Sequence, residues 1–369
     1  MPKLLLKVIL AVCFSFTSGW SLSQTILDSS ATQASFGVNA MYGFFLANQP
    51  KSMYVRNDHS YMTEAVVSWQ TSGKQRWHRD GHYPSLGVAL LHGDVGSRQY
   101  LGNITALYPF MLFPLQRTKR SFTSFRLGAG IGWVEKIYDK NTNYKNLMIG
   151  SHLNATISLR VQREWEIMRK LSVNVGINFT HLSNGAIRLP NLGLNIPAIS
   201  AGLRYGGGHL TVPHRERRVR DHRMPEITIY VAGAMKRTYP LETEVYVVPI
   251  VTGEFAKPLG NVSRLNAGAT ISYDRSLSKE VVNAPTYTFD KSANQLQGSV
   301  YAGYEHIAGR LSIPVHLGVY VYNNYPVNQL YQTIGLRYRF SKRWKMAVQL
   351  KTHFGKADYI QYGIGYKLK

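Results

Sequence analysis

The sequence predicts an all-β fold: a transmembrane antiparallel β-barrel of an outer membrane, with about sixteen strands. Three observations predict it. Segments of roughly ten residues repeatedly alternate between apolar and polar side chains, as barrel strands do. The N-terminus has the features of an export signal, and the 369-residue chain contains 24 Tyr and 6 Trp. Transmembrane barrels concentrate such aromatic residues in girdles at the two membrane surfaces.

The alternation is clearest at the C-terminal end. There Ile360, Tyr362, Ile364, Tyr366 and Leu368 alternate with polar residues or glycine. A period of two places the apolar side chains on one face of a strand. A soluble β-sandwich shows the same alternation, so the membrane assignment depends on the other two observations.

Residues 1–23 are expected to be a cleaved signal peptide, because Lys3 and Lys7 precede an apolar run that extends to Phe16. This run is shorter than the ~20 residues that a membrane-spanning helix requires, and no other segment approaches that length. Membrane insertion would therefore use a barrel. The only cysteine, Cys13, lies inside the signal and follows Val12, so we expect neither a lipid anchor nor a disulfide in the mature chain.

An even number of strands places both termini on the periplasmic side, so links from odd- to even-numbered strands face the exterior. A single barrel is the preferred closure, because every strand edge must be hidden from lipid. An eight-stranded unit with an appended β unit is the alternative, and the strand count ranges from 8 to 16.

The predicted strands are 35–46, 60–70, 85–92, 98–108, 121–135, 147–162, 171–182, 196–206, 226–235, 243–254, 263–273, 294–306, 310–322, 328–340, 343–353 and 357–369.

The most informative motif begins at His181-Leu182-Ser183-Asn184. It follows a strand that alternates strictly from Leu171 to Phe179, and the same period puts His181 and Ser183 side by side on the apolar face. A serine hydroxyl is unreactive at neutral pH unless a neighbouring base takes its proton. The spacing therefore predicts a nucleophile and its base on the lipid-facing side of the barrel wall.

The residues His181, Ser183, Asn184, Pro190 and Asn191 match one family in both type and spacing. They resemble the motif of the PagL-type lipid A 3-O-deacylases, an acyloxyacyl hydrolase-like family of the outer membrane. The resemblance implies an eight-stranded barrel with the His and Ser on its outer wall, and cleavage of the 3-O-linked acyl chain of lipid A.

The resemblance is confined to the motif and the strands beside it, and such a small barrel would end near Tyr205. We therefore divide the chain into a deacylase-like part at 24–206, a basic connector at 207–225 and additional strands at 226–369. One position departs from the family pattern, because Asn195 stands where the family has a Glu.

The expected catalytic residues are Ser183 as nucleophile, His181 as base and Asn195 as the group that orients the imidazole. An asparagine fills that third role in some cysteine proteases. An acid from another strand, Glu64 or Glu135, is the alternative.

The expected oxyanion donors are the backbone N–H groups of Gly185 and Ala186, together with the side chain of Asn184 or Asn191. We expect neither a cofactor nor a metal, because the sequence has no Walker loop and no His-Glu-x-x-His helix. The alternation predicts that the His316 side chain points into the barrel, and His306 is a second candidate for that orientation. A functional site inside the barrel therefore remains an alternative.

The chain has 43 Lys and Arg against 20 Asp and Glu, a net charge of +23. For an exported chain this charge favours phosphorylated lipid A in the outer leaflet and not nucleic acid. Arg188 is the best-placed candidate for a glucosamine phosphate. Further candidates are Arg117, Lys119, Arg120 and Arg126, whereas the basic run 214–223 is expected to be a periplasmic connector.

These observations together predict an outer-membrane serine esterase that removes an ester-linked acyl chain from lipid A of lipopolysaccharide. Two alternatives remain: a non-catalytic barrel, such as a porin or a structural protein, and a phospholipid hydrolase that uses the same pair.

Overall fold

A computed structural model describes residues 34–46, 53–207, 224–239, 243–282, 295–323, 329–354 and 356–368. The predicted signal peptide and the basic run 214–223 lie outside the described residues. The strands are β1 Ala34–Phe44, β2 His59–Gln70, β3 Ser85–Asp94, β4 Asn103–Arg117, β5 Ser121–Val134, β6 Leu153–Met168, β7 Leu171–Ser183, β8 Leu194–Gly206, β9 Glu226–Lys236, β10 Tyr246–Pro258, β11 Ser263–Tyr273, β12 Leu296–Ala308, β13 Leu311–Tyr322, β14 Leu330–Arg339, β15 Trp344–His353 and β16 Lys356–Lys367; the short helices are α1 Arg76–Asp80 and α2 Ser276–Val282.

The sixteen strands form two closed antiparallel barrels of eight strands each. In the first barrel β1 pairs with both β2 and β8, and in the second β9 pairs with both β10 and β16. The predicted strand number and the all-β class are confirmed. The preference for one sixteen-stranded closure is wrong, and the alternative of an eight-stranded unit with an appended β unit is the arrangement that forms.

Charged side chains that meet across the lumen explain the closure of the first barrel. Glu64 on β2 accepts hydrogen bonds from Arg126 at 2.5 Å and contacts Arg160 on β6 at 2.8 Å. All three are almost fully buried, and Tyr108 donates a further hydrogen bond to Glu64. Since β2 and β6 are four strands apart, they are opposite walls of an eight-stranded barrel. A sixteen-stranded barrel would be too wide for this contact.

The second barrel is filled in the same way. Arg337 on β14 donates two hydrogen bonds of 2.7 Å to Glu254 on β10, again from the opposite wall, and Tyr301 donates one of 2.8 Å. The cavity beside this cluster measures about 30 Å³, which is room for about one water molecule. In porins the lumen is a water-filled channel, so this filled interior argues against the porin alternative.

The outer walls are apolar. Large side chains such as Ile177, Ile199 and Val231 are 71%, 62% and 62% exposed, as expected for a surface in contact with lipid. Among the described residues, no helix is both long and apolar enough to cross a membrane.

The two ends of the barrels differ in the length of their connections. One end, the inner end, carries tight turns such as 169–170 and 309–310, whereas the outer end carries the long connections 135–152 and 184–193. Short periplasmic turns and longer external loops are usual for outer-membrane barrels. The expected sidedness does not depend on whether the strands close once or twice, because eight is also an even number.

Single cysteines at the two ends test this topology, since Cys13 lies in the predicted signal peptide. Asn141, in the connection 135–152, and Lys342, in the turn before β15, are both exposed polar residues. We expect a membrane-impermeant maleimide to label Asn141→Cys on intact cells, and Lys342→Cys only after the outer membrane is permeabilised. The reverse result would contradict the assigned orientation.

Removing the carboxylate of Glu64 should destabilise the first barrel, because Arg126 and Arg160 would then be buried without their partner. For Glu64→Gln we expect a loss of about 3–5 kcal/mol in the free energy of unfolding, measured by urea titration in detergent. Glu244→Gln is the control, because Glu244 and its partner Lys279 are half exposed and 3.6 Å apart. An equal change in the two variants would show that the buried pair does not stabilise the fold.

Candidate active site

Strand β7 carries the predicted catalytic pair at its outer end. Along this strand polar side chains such as Asn178 and Thr180 are buried in the lumen, whereas Ile177 is exposed to the outside. Leu182 continues the inward set and is fully buried in an apolar cluster that fills the outer end of the first barrel. His181 and Ser183 therefore lie on the outward face, and the anchored Leu182 fixes the backbone between them.

His181 is held from the neighbouring strand β8. It is the cross-strand partner of Asn195, and its Nδ1 lies 2.7 Å from the Asn195 Oδ1. An amide oxygen accepts only, so Nδ1 carries the proton and Nε2 presents its lone pair on the other side of the ring. A Cβ at Gly193 would lie 2.8 Å from the His181 Cε1, and Gly193 has φ of +78°. Glycine is therefore required where the loop passes the imidazole.

Ser183 is the last residue of β7 and pairs with Ala155 on β6. Its side chain is only 3% exposed, although it faces away from the lumen. Within the described part of the chain no hydrogen bond joins its hydroxyl to His181. Such catalytic hydrogen bonds are often long or poorly aligned in the absence of substrate.

The connection 184–193 is folded by its two asparagines. The Asn184 side chain donates to the Ser151 Oγ at 2.7 Å and to the Arg188 carbonyl at 2.8 Å, and it accepts from the Arg188 N–H at 3.3 Å. The Asn191 Oδ1 accepts the Asn184 N–H at 3.2 Å. The Asn184 amide is thus occupied within the loop, whereas the Asn191 Nδ2 is buried and has no hydrogen-bond partner among the described residues. Of the two side-chain candidates, Asn191 is the one with a free donor.

Gly185 and Ala186 follow directly after Asn184, and both have φ of +62°. Glycine adopts this left-handed conformation without cost, but alanine does so only where the surroundings enforce it. The enforced turn directs the chain sharply away from β7 immediately after Ser183. Their backbone N–H groups are consequently close in sequence to the predicted nucleophile and on the same end of the barrel.

The structure separates the predicted phosphate contacts. Arg188 is exposed at the outer end, within the connection 184–193. Arg126 is inside the barrel and 2% exposed, because its alternation phase on β5 is inward, so its assignment to substrate is wrong. Arg117, Lys119 and Arg120 lie at the turn between β4 and β5, which is at the inner end and opposite to Ser183, so their assignment is also wrong.

Neither alternative acid contacts the imidazole. Glu64 is enclosed in the lumen with Arg126, and the Glu135 carboxylate accepts the Asn103 N–H at 2.9 Å. Asn195 is the residue that the fold brings to His181. Among the described residues no group of three or more His, Asp or Glu side chains is arranged to bind a metal ion.

The two candidate histidines of the second barrel are in different places. His316 is inside, where its Nδ1 is 3.1 Å from the Thr333 Oγ1. His306 faces outward, with its ring 5.1 Å from that of Phe113 on the first barrel, so the alternative of an inward His306 is wrong. No sequence pattern indicated Ser151, because it contacts Asn184 from the connection 135–152, which is distant in sequence.

Comparisons with known proteins give two family matches. The family described as lipid A 3-O-deacylase (PagL) matches residues 63–204, and the family described as acyloxyacyl hydrolase, C-terminal domain, matches residues 225–369. No curated protein matches the chain.

Three solved structures illustrate the structural similarity. The outer membrane enzyme PagL is 14% identical with a TM-score of 0.31, and the match covers 45% of this chain and 97% of that one. Neisserial surface protein A is 8% identical with a TM-score of 0.31, covering 48% and 97%. The KdgM porin is 7% identical with a TM-score of 0.19, covering 90% and 99%.

The two family matches fall on the two barrels and together span most of the sequence. The chain therefore belongs to the PagL-type lipid A 3-O-deacylase family and is a lipid A deacylase of the outer membrane.

Proposed function

We propose that the chain removes an ester-linked acyl chain from lipid A by serine chemistry, with Ser183 as nucleophile and His181 as base. The observation that supports this most directly is the 2.7 Å contact between the His181 Nδ1 and the Asn195 Oδ1. It holds the imidazole in the tautomer whose Nε2 can accept a proton. Ser183 stands two residues along the same face of the strand, where its side chain is the next neighbour of His181.

In the first half of the reaction, the Ser183 oxygen attacks the ester carbonyl carbon while its proton passes to the His181 Nε2. The tetrahedral intermediate carries a negative oxygen, which the N–H groups of Gly185 and Ala186 and the Asn191 Nδ2 stabilise. When the intermediate collapses, the glucosamine oxygen leaves and takes the proton from His181. An acyl ester on Ser183 remains.

In the second half, water attacks the acyl ester and gives its proton to His181. Collapse of the second intermediate returns that proton to Ser183 and releases the fatty acid. No cofactor is required. The exposed Arg188 lies on the side of the barrel that would meet the phosphorylated headgroup, and its guanidinium suits a bidentate contact with phosphate.

Asn195 limits this mechanism in one respect. Its amide orients the imidazole, but it has no charge to stabilise the imidazolium that forms in both halves of the reaction. A glutamate at this position, as in the family pattern, would do both.

Substituting the pair should abolish deacylation without unfolding the barrel, since both side chains lie outside the packed lumen. We expect Ser183→Ala and His181→Ala to leave lipid A fully acylated in mass spectra of cells that produce them, and to retain heat-modifiable migration. Ser172→Ala, on the inner face of the same strand, is the control and should deacylate normally. Normal deacylation by Ser183→Ala would refute serine catalysis, and release of fatty acid from phospholipid alone would favour the phospholipid hydrolase.

Substitutions of Asn195 test its role as the third member. We expect Asn195→Ala to lower kcat strongly, because incorrect imidazole orientation costs up to about ten-thousandfold in serine proteases. Asn195→Glu should preserve or raise kcat by adding a charge beside the imidazolium. If the wild-type chain has no activity and Asn195→Glu restores it, the chain is an enzyme that has lost its catalytic function. If neither substitution changes the rate, Asn195 is not the third member.

A further inference from the structure

The two barrels contact one another at both ends. At the inner end the Asn261 Nδ2 donates to Asp80 at 3.0 Å. At the outer end the Arg237 N–H, just after β9, donates to the Ala186 carbonyl at 3.0 Å. Beside it, a Cβ added to Gly185 would lie 2.4 Å from the Ile360 Cγ1 on β16. The outer contact of the second barrel is therefore with the connection 184–193, which carries the proposed oxyanion donors.

Burial of outward-facing side chains traces the region between these contacts. On the first barrel Leu127, Leu159 and Phe179 are only partly exposed, whereas Ile131 and Leu153, nearer the outer ends of β5 and β6, are 57% and 59% exposed. Barrel strands are tilted, so residues on successive strands lie along a diagonal. The partly buried positions follow such a diagonal from the inner end of β4 to the outer end of β7, and we call it the seam.

The second barrel shows the matching pattern. Ile334, Leu350 and Ile360 are partly exposed, whereas Met346 and Ile364 on the same outward faces are 54% and 50% exposed. The seam of the second barrel thus ends at Ile360, and that of the first ends at Ser183. Ser183, which is 3% exposed although it faces away from the lumen, lies two residues before the contact of Gly185 with Ile360.

We infer that the second barrel is a positioning element of the active site: Ile360 and the Arg237 N–H hold Gly185 and Ala186 in the conformation that directs their N–H groups to the reacting carbonyl. The inference rests on the proposed serine mechanism, in which those groups stabilise the oxyanion. Ile360 and Arg237 are positioning residues, because they act through the loop and do not touch the substrate.

The left-handed conformation of Ala186 is the physical reason that such support is needed. Outside a restraining contact an alanine with φ of +62° would relax to a more favourable region. The hydrogen bond to its carbonyl fixes the following peptide, and Ile360 closes the space beside Gly185. A loop without these two contacts would sample several conformations, and the oxyanion donors would be aligned for only part of the time.

Ile360→Ala tests the inference against Ile364→Ala, a matched control on the same strand and face but exposed to lipid. Because oxyanion donors act in the transition state, we expect Ile360→Ala to lower kcat with little change in KM. The expected loss is about ten- to a hundredfold, as for a displacement of about 1 Å at an active site. Ile360→Val should recover most of the rate, and Ile364→Ala should behave as wild type. A kcat for Ile360→Ala equal to that of Ile364→Ala would overturn the inference.

Crosslinking tests the contact itself without reference to activity. Ala186→Cys with Arg237→Cys should form a disulfide on mild oxidation in the membrane, because the backbones there are within hydrogen-bond distance. Ala186→Cys with Met235→Cys, two residues away along the outward face, should not. Failure of the first pair to crosslink would overturn the docking contact, even if Ser183→Ala had already supported the serine mechanism. Full activity of Ser183→Ala, with the crosslink formed, would instead refute the mechanism and leave only the contact.

Discussion

A strand edge cannot face lipid, and this constraint determines how the strands of the sheet close. A membrane interior offers no water to an unpaired backbone N–H or carbonyl, so a spanning sheet has to close. The inward side chains determine where it closes. Glu64 reaches Arg160 and Glu254 reaches Arg337 from opposite walls, and only a barrel of about eight strands is narrow enough for side chains to meet across it. Sixteen strands therefore form two filled barrels and not one channel.

The filled lumen also determines the positions of the proposed catalytic residues on the barrel wall. Leu182 is held in the apolar cluster inside the barrel, so the residues on either side of it must point outward. The hydrogen-bonded register with β8 then sets Asn195 opposite His181. All three proposed catalytic residues are thus placed by regular sheet geometry, and a displacement of any of them along its strand would require a change of strand register. The loop that carries the proposed oxyanion donors has no such register, and its restraints are the contacts with Asn184, Asn191 and the second barrel.

Alternation predicted the strands and the outward face of His181 and Ser183 because both depend on local periodicity. It did not predict the closure, since a strand alternates in the same way in a barrel of eight or of sixteen. The apolar Leu127 beside Arg126 indicated that Arg126 points into the barrel. Net charge alone did not distinguish buried arginines from those at the surface. The contact of Gly185 with Ile360 joins positions far apart in sequence, and no local pattern records it.

The even strand number of each barrel has a consequence for how such a chain is assembled from parts. A closed unit of eight strands returns the chain to the membrane face from which it started, so one unit can be added to or removed from another without inverting either. Strand β8 ends at Gly206 and β9 begins at Glu226, both at the inner end. An insertion of one strand anywhere before β7 would have moved Ser183 to the opposite leaflet. A whole second barrel leaves Ser183 in the same leaflet and adds a second protein surface beside it.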